Sequence, residues 1–188
     1  MEGLVASDPD HLQDFCVADK TSRINGNGYP CKNAVNVTEV DFFFGGLANS
    51  AVINNLVGSV ITTANVEKIP GLNTLGVSLA RIDYQPDGLN PPHTHPRASK
   101  IIFVLDGELD VGFITTANKL ISKSIKKKAT FLSSVIAGFN SQFPGTQSIA
   151  TTLFTSTALV PDHVLTKGLH IGTKGVEKMR NKLAPKKT

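Results

Sequence analysis

The sequence predicts an all-β domain, a sandwich or small barrel of short strands, with helices confined to the C-terminal end. Three observations carry this. Ten Phe together with many Val, Ile and Thr favour pleated, half-buried surfaces, while 16 Gly and 10 Pro mark many turns. Between positions 75 and 139 apolar residues come in short runs, several with period two. The longest apolar run, residues 101–105, has strand length and falls far short of the roughly 20 residues that cross a bilayer, so no membrane span is expected.

The elements follow in order. With 188 residues and no internal repeat or linker, the chain reads as a single domain: an N-terminal loop extension over 7–45, a barrel over 46–140 and a helical C-terminal extension over 141–188. Residues 7–40 are polar, with turn signals at Asn25-Gly26 and Asn27-Gly28. Asp41-Phe42-Phe43-Phe44-Gly45-Gly46 is an apolar packing segment ending in glycines. Leu75, Val77 and Leu79 alternate, which predicts one buried face, and Asp87-Gly88 breaks the run. Residues 101–105, the turn Asp106-Gly107, and the alternation of Leu109, Val111 and Phe113 together predict a hairpin. Ile121 and Ile125 lie between lysines over 119–127, the pattern of an edge strand protected by charge. Residues 131–139 suit a further strand. Ile149, Leu153 and Phe154, and later Val176, Met179 and Leu183, have helical spacing, and Pro185 closes the last helix.

Composition excludes several classes. Hydrophobic residues at 40% and charged residues at 18% exclude a disordered chain and a coiled coil. The net charge of +4 comes from lysines such as Lys119, Lys123, Lys126, Lys127 and Lys128, and from the last fifteen residues. No aromatic residues interleave with them as stacking platforms, so nucleic acid is not the expected partner. A solvated basic face is expected instead, with weak attraction for acidic polysaccharide or a membrane surface as the alternative. Cys16 and Cys31 are not in CxxC spacing, which argues against zinc and redox motifs and leaves a disulfide open. The sequon Asn36-Val37-Thr38 suits the same oxidising compartment as a disulfide would. The opening residues 1–6 lack the charged and apolar regions of a signal peptide, so a secreted chain is expected either to begin after one or to have lost it.

Chemistry concentrates in Pro91-Pro92-His93-Thr94-His95-Pro96-Arg97. Two histidines at i and i+2 on an extended chain project to one face with Cα atoms roughly 6–7 Å apart, close enough for both imidazoles to meet one ion. The prolines stiffen the backbone that presents them. The competing reading is a pair of surface histidines in a proline-rich loop.

The stretch from Asp87 to Lys100, followed by Gly107, resembles the first cupin box of germins and germin-like proteins: Gly, five residues, His-x-His, three or four residues, Glu, six residues, Gly. The resemblance extends along almost the whole chain. Asp8-Pro9 with the segment from Leu12 to Ala18 resembles the start of a mature germin-like protein, and Cys31 with Asp41-Phe42-Phe43 resembles its N-terminal disulfide loop. The segment Gly107–Phe113 resembles the strand after the first box, and Phe139–Gln147 the approach to the C-terminal helices. The resemblance implies a cupin jelly-roll β-barrel, a Cys16–Cys31 disulfide, hexamers built from dimers, secretion to the plant cell-wall space, and a manganese ion held by three His and one Glu. Some members of that family resemble oxalate oxidases and some superoxide dismutases, and many have no established activity.

The sequence departs from this pattern in the ligand set. His93 and His95 match the two histidines of the first box, but the Glu position is occupied by Lys100, a cation that offers no lone pair while protonated. Glu108 lies eight residues on, roughly 26 Å along a straight strand, too far to substitute. The second box, with its histidine, has no counterpart: the chain runs from 124–128 directly to Ala129, as though one or two strands were missing, which predicts an incomplete barrel. The later histidines, His163 and His170, fall in the helical tail and are expected at the surface. The box-one Gly falls on Asp87, where a turn wants positive φ. The expected function is therefore an extracellular, germin-like protein related to plant defence, with weak or absent manganese binding and without oxalate oxidase activity. The alternatives are a manganese-dependent oxidase or superoxide dismutase, and the product of a decayed gene.

Overall fold

The computed structural model describes residues 13–24, 27–127 and 132–184. These divide into two compact units, one containing the chain up to Leu89 together with Arg97–Pro144, the other Asn90–Pro96 together with everything from Gly145 onward. The N-terminal motif from Asp8 to Leu12, the Asn25-Gly26 turn, the Lys128–Ala129 junction, Phe131 and Pro185 lie outside the described residues.

The first unit is antiparallel β-structure. Strands β1 (Ser59–Ala64), β2 (Ser78–Tyr84), β4 (Lys100–Asp106) and β7 (Ser133–Phe139) form one sheet in the order β1-β2-β7-β4. Strands β5 (Glu108–Ile114) and β6 (Leu120–Lys126) form a separate hairpin. Ile82, Tyr84, Val104, Val135 and Ala137 make the buried core, and Leu109 and Ile125 of the hairpin pack against it. The register explains the face: Ile82 lies opposite Val135, which lies opposite Val104, so these side chains project to the same side.

Two details correct the sequence reading. The alternation of Val77 and Leu79 predicted a buried face, yet both are about half exposed, and the buried parity belongs to Ser78, Ala80, Ile82 and Tyr84. Small residues at the start of β2 hide the core face, and the larger apolar residues sit on the outer one. The second correction concerns Asp106-Gly107. It does not close a hairpin, because β4 pairs with β7 and β5 with β6. Gly107, at φ +87, turns a corner from one sheet into the other, and a Cβ there would meet Ser133 Oγ at 2.2 Å. The Lys127 N–H donates to the Gly107 carbonyl across the same corner. The expected edge strand is present as β6, which pairs with β5 alone among the described residues.

Among its described residues, the N-terminal segment is loop with short 3-10 turns at Ala34–Asn36, Glu39–Asp41 and Gly45–Leu47. Cys16 and Cys31 form a disulfide beside an Ala18–Cys31 bridge. Phe42 does the packing expected of the Phe-rich segment: it meets Phe15 edge-on at 6.0 Å and covers Gly71, where a Cβ would lie 2.3 Å from the ring. Phe43 stays 74% exposed. The loop just beyond is held by a buried ion pair on the outer face of the sheet. Arg81 donates from Nε to Asp83 (2.9 Å), and its guanidinium also reaches the carbonyls of Leu47 and Ala48 and the hydroxyl of Ser50.

The second unit is helical. Strand β3 (His93–Thr94) pairs with β8 (Gln147–Ser148), and α1 (Ile149–Thr155), α2 (Asp162–Leu169) and α3 (Thr173–Leu183) follow. Phe154, Leu165 and Val176, one from each helix, form its core. Met179 and Leu183 pack against that core, as the spacing of Val176, Met179 and Leu183 predicted.

Candidate metal centre

The two histidines of the first box lie in the second unit, and the chain around them is tightly specified. Pro91 and Pro92 restrict the approach, and the Ile149 N–H donates to the Pro92 carbonyl at 3.1 Å. His93 sits in β3 opposite Ser148, and Thr94 opposite Gln147. His95 follows two residues after His93 on the same side, so the structure brings the two rings together: their centroids are 4.9 Å apart and their planes lie at 81°. Both rings are half-buried.

Each imidazole is oriented by a backbone carbonyl. His93 Nδ1 lies 2.8 Å from the Pro91 carbonyl, and His95 Nδ1 lies 2.5 Å from the Gly145 carbonyl. A carbonyl oxygen only accepts, so the Nδ1 atoms carry the protons and donate. In the neutral rings the lone pairs then sit on Nε2, the tautomer that ligates metal through Nε2. Gly145, at φ +68, supplies the turn that aims its carbonyl at His95. Neither anchoring carbonyl was foreseen from the sequence. Pro91 lies within the motif, but Gly145 is 50 residues from His95 and no local pattern pairs them.

The other expected participants belong to other elements of the chain. Lys100 opens β4 in the first unit, opposite Phe139 and on the same face as Ile102 and Val104. Desolvation holds its ammonium pKa below the ordinary lysine value. Glu108 is committed to the β5–β6 hairpin. Its Oε1 accepts from Lys126 Nζ at 2.8 Å and Ser124 Oγ at 3.2 Å, and the bond from Lys126 leads in holding its carboxyl below the usual range. His163 in α2 and His170 at its C-terminal end are exposed, and His170 takes a left-handed conformation at φ 53. Asp87 adopts φ 60, the positive φ that its box-one position was expected to need. Asn36 closes an exposed 3-10 turn.

The donor set does not fit a four-ligand manganese site. Manganese suits carboxylate, carbonyl and water oxygens. Among the described residues no three of His, Cys, Asp and Glu gather into a group that could hold a metal ion. The pair by itself supplies two imidazole nitrogens and no carboxylate oxygen.

Apart from the histidines, the first unit carries a groove of about 1010 Å³ lined by Phe42, Phe43, Leu47, Val77, Leu79 and Ile101. Leu79 and Ile101 flank Gly138 on the outer face of the sheet, each within 4 Å of where a Gly138 Cβ would be. Among the described residues no helix is long and apolar enough to cross a membrane.

Comparison with known proteins places the fold in a family. The family model described as Cupin matches residues 45–133. The chain is 61% identical to germin-like protein subfamily 2 member 4 of Arabidopsis thaliana, over 98% of this chain and 91% of that one. It is 57% identical to the rhicadhesin receptor of Pisum sativum, over 95% of this chain and 89% of that one. The first alignment runs over 201 positions against a chain of 188 residues, so the relative has residues for which this chain has none. Among solved structures, an oxalate oxidase superposes with a TM-score of 0.89 at 37% identity, covering 96% of this chain and all of the other.

Proposed function

Because the chain belongs to the germin-like family and carries its cupin fold, we propose that it is an extracellular germin-like protein, related to plant defence, that keeps the scaffold and lacks oxalate oxidase activity. The observation that carries this reading is the ligand set. His93 and His95 are oriented as ligands, but the family's carboxylate position is Lys100 and no third ligand joins the pair among the described residues. A complete set of ligands, and the groups that orient them, sets metal affinity and reactivity. Weak or absent manganese binding is the consequence, and without the metal the oxidase has no means of handling oxygen.

Location and assembly belong to the same proposal. The Cys16–Cys31 disulfide and the exposed Asn36 sequon favour the apoplast, where disulfides persist and Asn36 carries a glycan. The exposed apolar residues Leu79, Ile101 and Phe103 on one face of the sheet favour a homo-oligomer, a hexamer by family resemblance. Cell-wall polysaccharide is the expected environment for the basic surface. The whole chain is a single cupin domain.

Metal analysis of the purified, oxidised protein, paired with an oxalate-dependent peroxide assay, tests the reading. The expected result is sub-stoichiometric manganese and no turnover. Stoichiometric manganese with turnover would establish the second reading, a manganese-dependent oxidase or dismutase, which the likeness to oxalate oxidase and the ordered His pair favour. The third reading, a decayed gene product, predicts that no glycosylated protein is recovered outside the cell.

A further inference from the structure

We propose that the tip of the β5–β6 hairpin inserts shallowly into a bilayer carrying anionic lipid, with Phe113, Ile114, Leu120 and Ile121 in the interface and lysines at the headgroups. The proposal goes beyond the function above and does not depend on the metal ligands.

Three observations carry it. The first is that the apolar end of the hairpin has two faces. Strand parity puts Leu109, Val111 and Phe113 on one side together with Ile121 and Ile125, and Leu109 and Ile125 pack against the core. The other side begins as a water-facing surface, with Glu108 opposite Lys126 and Asp110 opposite Ser124. At the tip this alternation stops. Phe113 pairs with Ile121 on the core side, and Ile114 pairs with Leu120 on the other. All four are exposed, at 61%, 44%, 69% and 63% in that order. A second copy, or a strand laid on one face, would cover one pair and leave the other in water. A bilayer covers both.

The second observation is charge. From Val111 to Lys127 the chain holds no Asp or Glu and four lysines, Lys119, Lys123, Lys126 and Lys127. Lys123 follows Ile121 by two residues, roughly 7 Å back along the strand. Lys119 sits beside the turn, where its stem can lie along lipid while the ammonium reaches the headgroups. Behind them, Lys126 Nζ offsets Glu108 at 2.8 Å, and Asp110 lies roughly 13 Å from Ile114 along the strand. An apolar end collared by cations complements the negative surface of anionic lipid.

The third observation is the backbone. The Thr115 N–H donates to the Lys119 carbonyl at 3.0 Å, the Asn118 N–H to the Thr115 carbonyl at 3.0 Å, and the Lys119 N–H to Thr115 Oγ1 at 3.2 Å. The turn between the strands, Thr115-Thr116-Ala117-Asn118, carries no charge. The end that enters therefore brings few unpaired donors with it. Each strand has seven residues, fewer than the roughly 9–11 that cross a bilayer, so the hairpin lies in the interface without spanning it.

The test is sedimentation of the full-length, oxidised chain with phosphatidylcholine vesicles, with or without phosphatidylserine as roughly a third of the lipid. The expected result is binding that weakens by more than about tenfold when phosphatidylserine is left out. The double variant Ile114→Gln, Leu120→Gln is expected to weaken binding by more than about tenfold as well. The chain has no tryptophan, so Leu120→Trp supplies a single fluorophore at the tip. Its emission is expected to shift to the blue on the vesicles and to be quenched by brominated acyl chains. That readout is taken on the bound chain, so misfolding of the double variant does not shield the proposal. No binding to either vesicle, unchanged binding by the double variant, or an unshifted emission would overturn it. Retention on polygalacturonate without vesicle binding would assign the lysines to polysaccharide and overturn it too. A double variant that sediments as smaller species in the absence of lipid would make the tip an interface between copies, with the same consequence.

Discussion

Removing the Asp83 carboxylate tests the account of how the N-terminal segment is held on the sheet. Asp83 is 0% exposed and accepts three hydrogen bonds: from Arg81 Nε at 2.9 Å, Ser134 Oγ at 2.7 Å and the Ala51 N–H at 3.0 Å. Asp83→Ala leaves the Arg81 guanidinium inside with its compensating charge gone. Three bonds to a charged group at roughly 1.5–3 kcal/mol each would suggest a loss of up to about 9 kcal/mol. That sum overshoots, because Arg81 keeps the Leu47 and Ala48 carbonyls and the Ser50 and Ser134 hydroxyls as acceptors. Breaking one side of a buried pair costs about 3–5 kcal/mol, and that range governs here. For a chain of this size each kcal/mol moves Tm by about 2–4 °C, so a fall of about 10 °C is expected in a thermal melt followed by circular dichroism. The double variant Arg81→Met, Asp83→Leu is expected to recover most of the loss, since an apolar pair of similar volume replaces the ions. It still lacks the tether to Leu47, Ala48 and Ser50, so limited proteolysis between 45 and 52 should accelerate even as Tm recovers. A single variant that loses under about 1 kcal/mol, or a double variant as unstable as the two singles summed, would refute the reasoning.

Three further outcomes are expected. Burial pushes the Asp83 carboxyl up, but the Ser134 hydroxyl, the Ala51 N–H and Arg81 outweigh it and hold the group below the usual range. Its stabilisation is therefore complete above the unfolded value of about 3.9 and is lost as pH falls through the lower folded value; Asp83→Asn should flatten this acid limb in urea melts taken from pH 5 down to 2. Reducing the Cys16–Cys31 bridge frees a segment with sequence separation 15 and should cost about 3 kcal/mol, read as a shift in urea midpoint; no shift would mean that the unfolded chain gains no freedom from reduction. Ile101→Glu, at a side chain 77% exposed, should change monomer stability by no more than about 0.5 kcal/mol but move the sedimentation profile to smaller species, and an unchanged profile would remove the outer face from the oligomer interface.

What was legible in the sequence follows the range of the interactions involved. The helix of the C-terminal extension around Val176, Met179 and Leu183 was readable because its core contacts repeat with a local period. The pair His93 and His95 was readable because i, i+2 on extended chain fixes a shared face. Arg81 and Asp83 have that same spacing, and two opposite charges inside an otherwise apolar strand were a signal available to the same rule. Their partners at Ser134 and Ala51 were not, because those bonds cross 51 and 32 residues. The Asp106-Gly107 reading failed for a related reason. A D-G turn between two apolar runs is equally compatible with a hairpin and with a corner between sheets. Only the pairing of β4 with β7, which runs from Asp106 opposite Ser134 to Lys100 opposite Phe139, decides between them.

The placement of Val77 and Leu79 shows the limit of hydrophobic alternation and bears on function. Period two says that a strand has two unlike faces, but it does not say which of them is the core. Here the core face of β2 begins with Ser78 and Ala80, while Leu79 looks outward with Ile101 beside Gly138. An outward apolar face on a chain with a charged, lysine-rich edge at β6 is the arrangement expected when one surface is meant to be covered and another to stay wet. The same division runs through the candidate centre. Gly145 holds a positive φ and sets its carbonyl against His95 Nδ1, and Asp87 holds a positive φ without glycine. On the function proposed above, the departures fall instead on donors: Lys100 where the resemblance expects a carboxylate, and no counterpart of the second-box histidine. On that proposal the missing donors by themselves cost the folded chain little, because a ligand contributes chiefly when the ion is present.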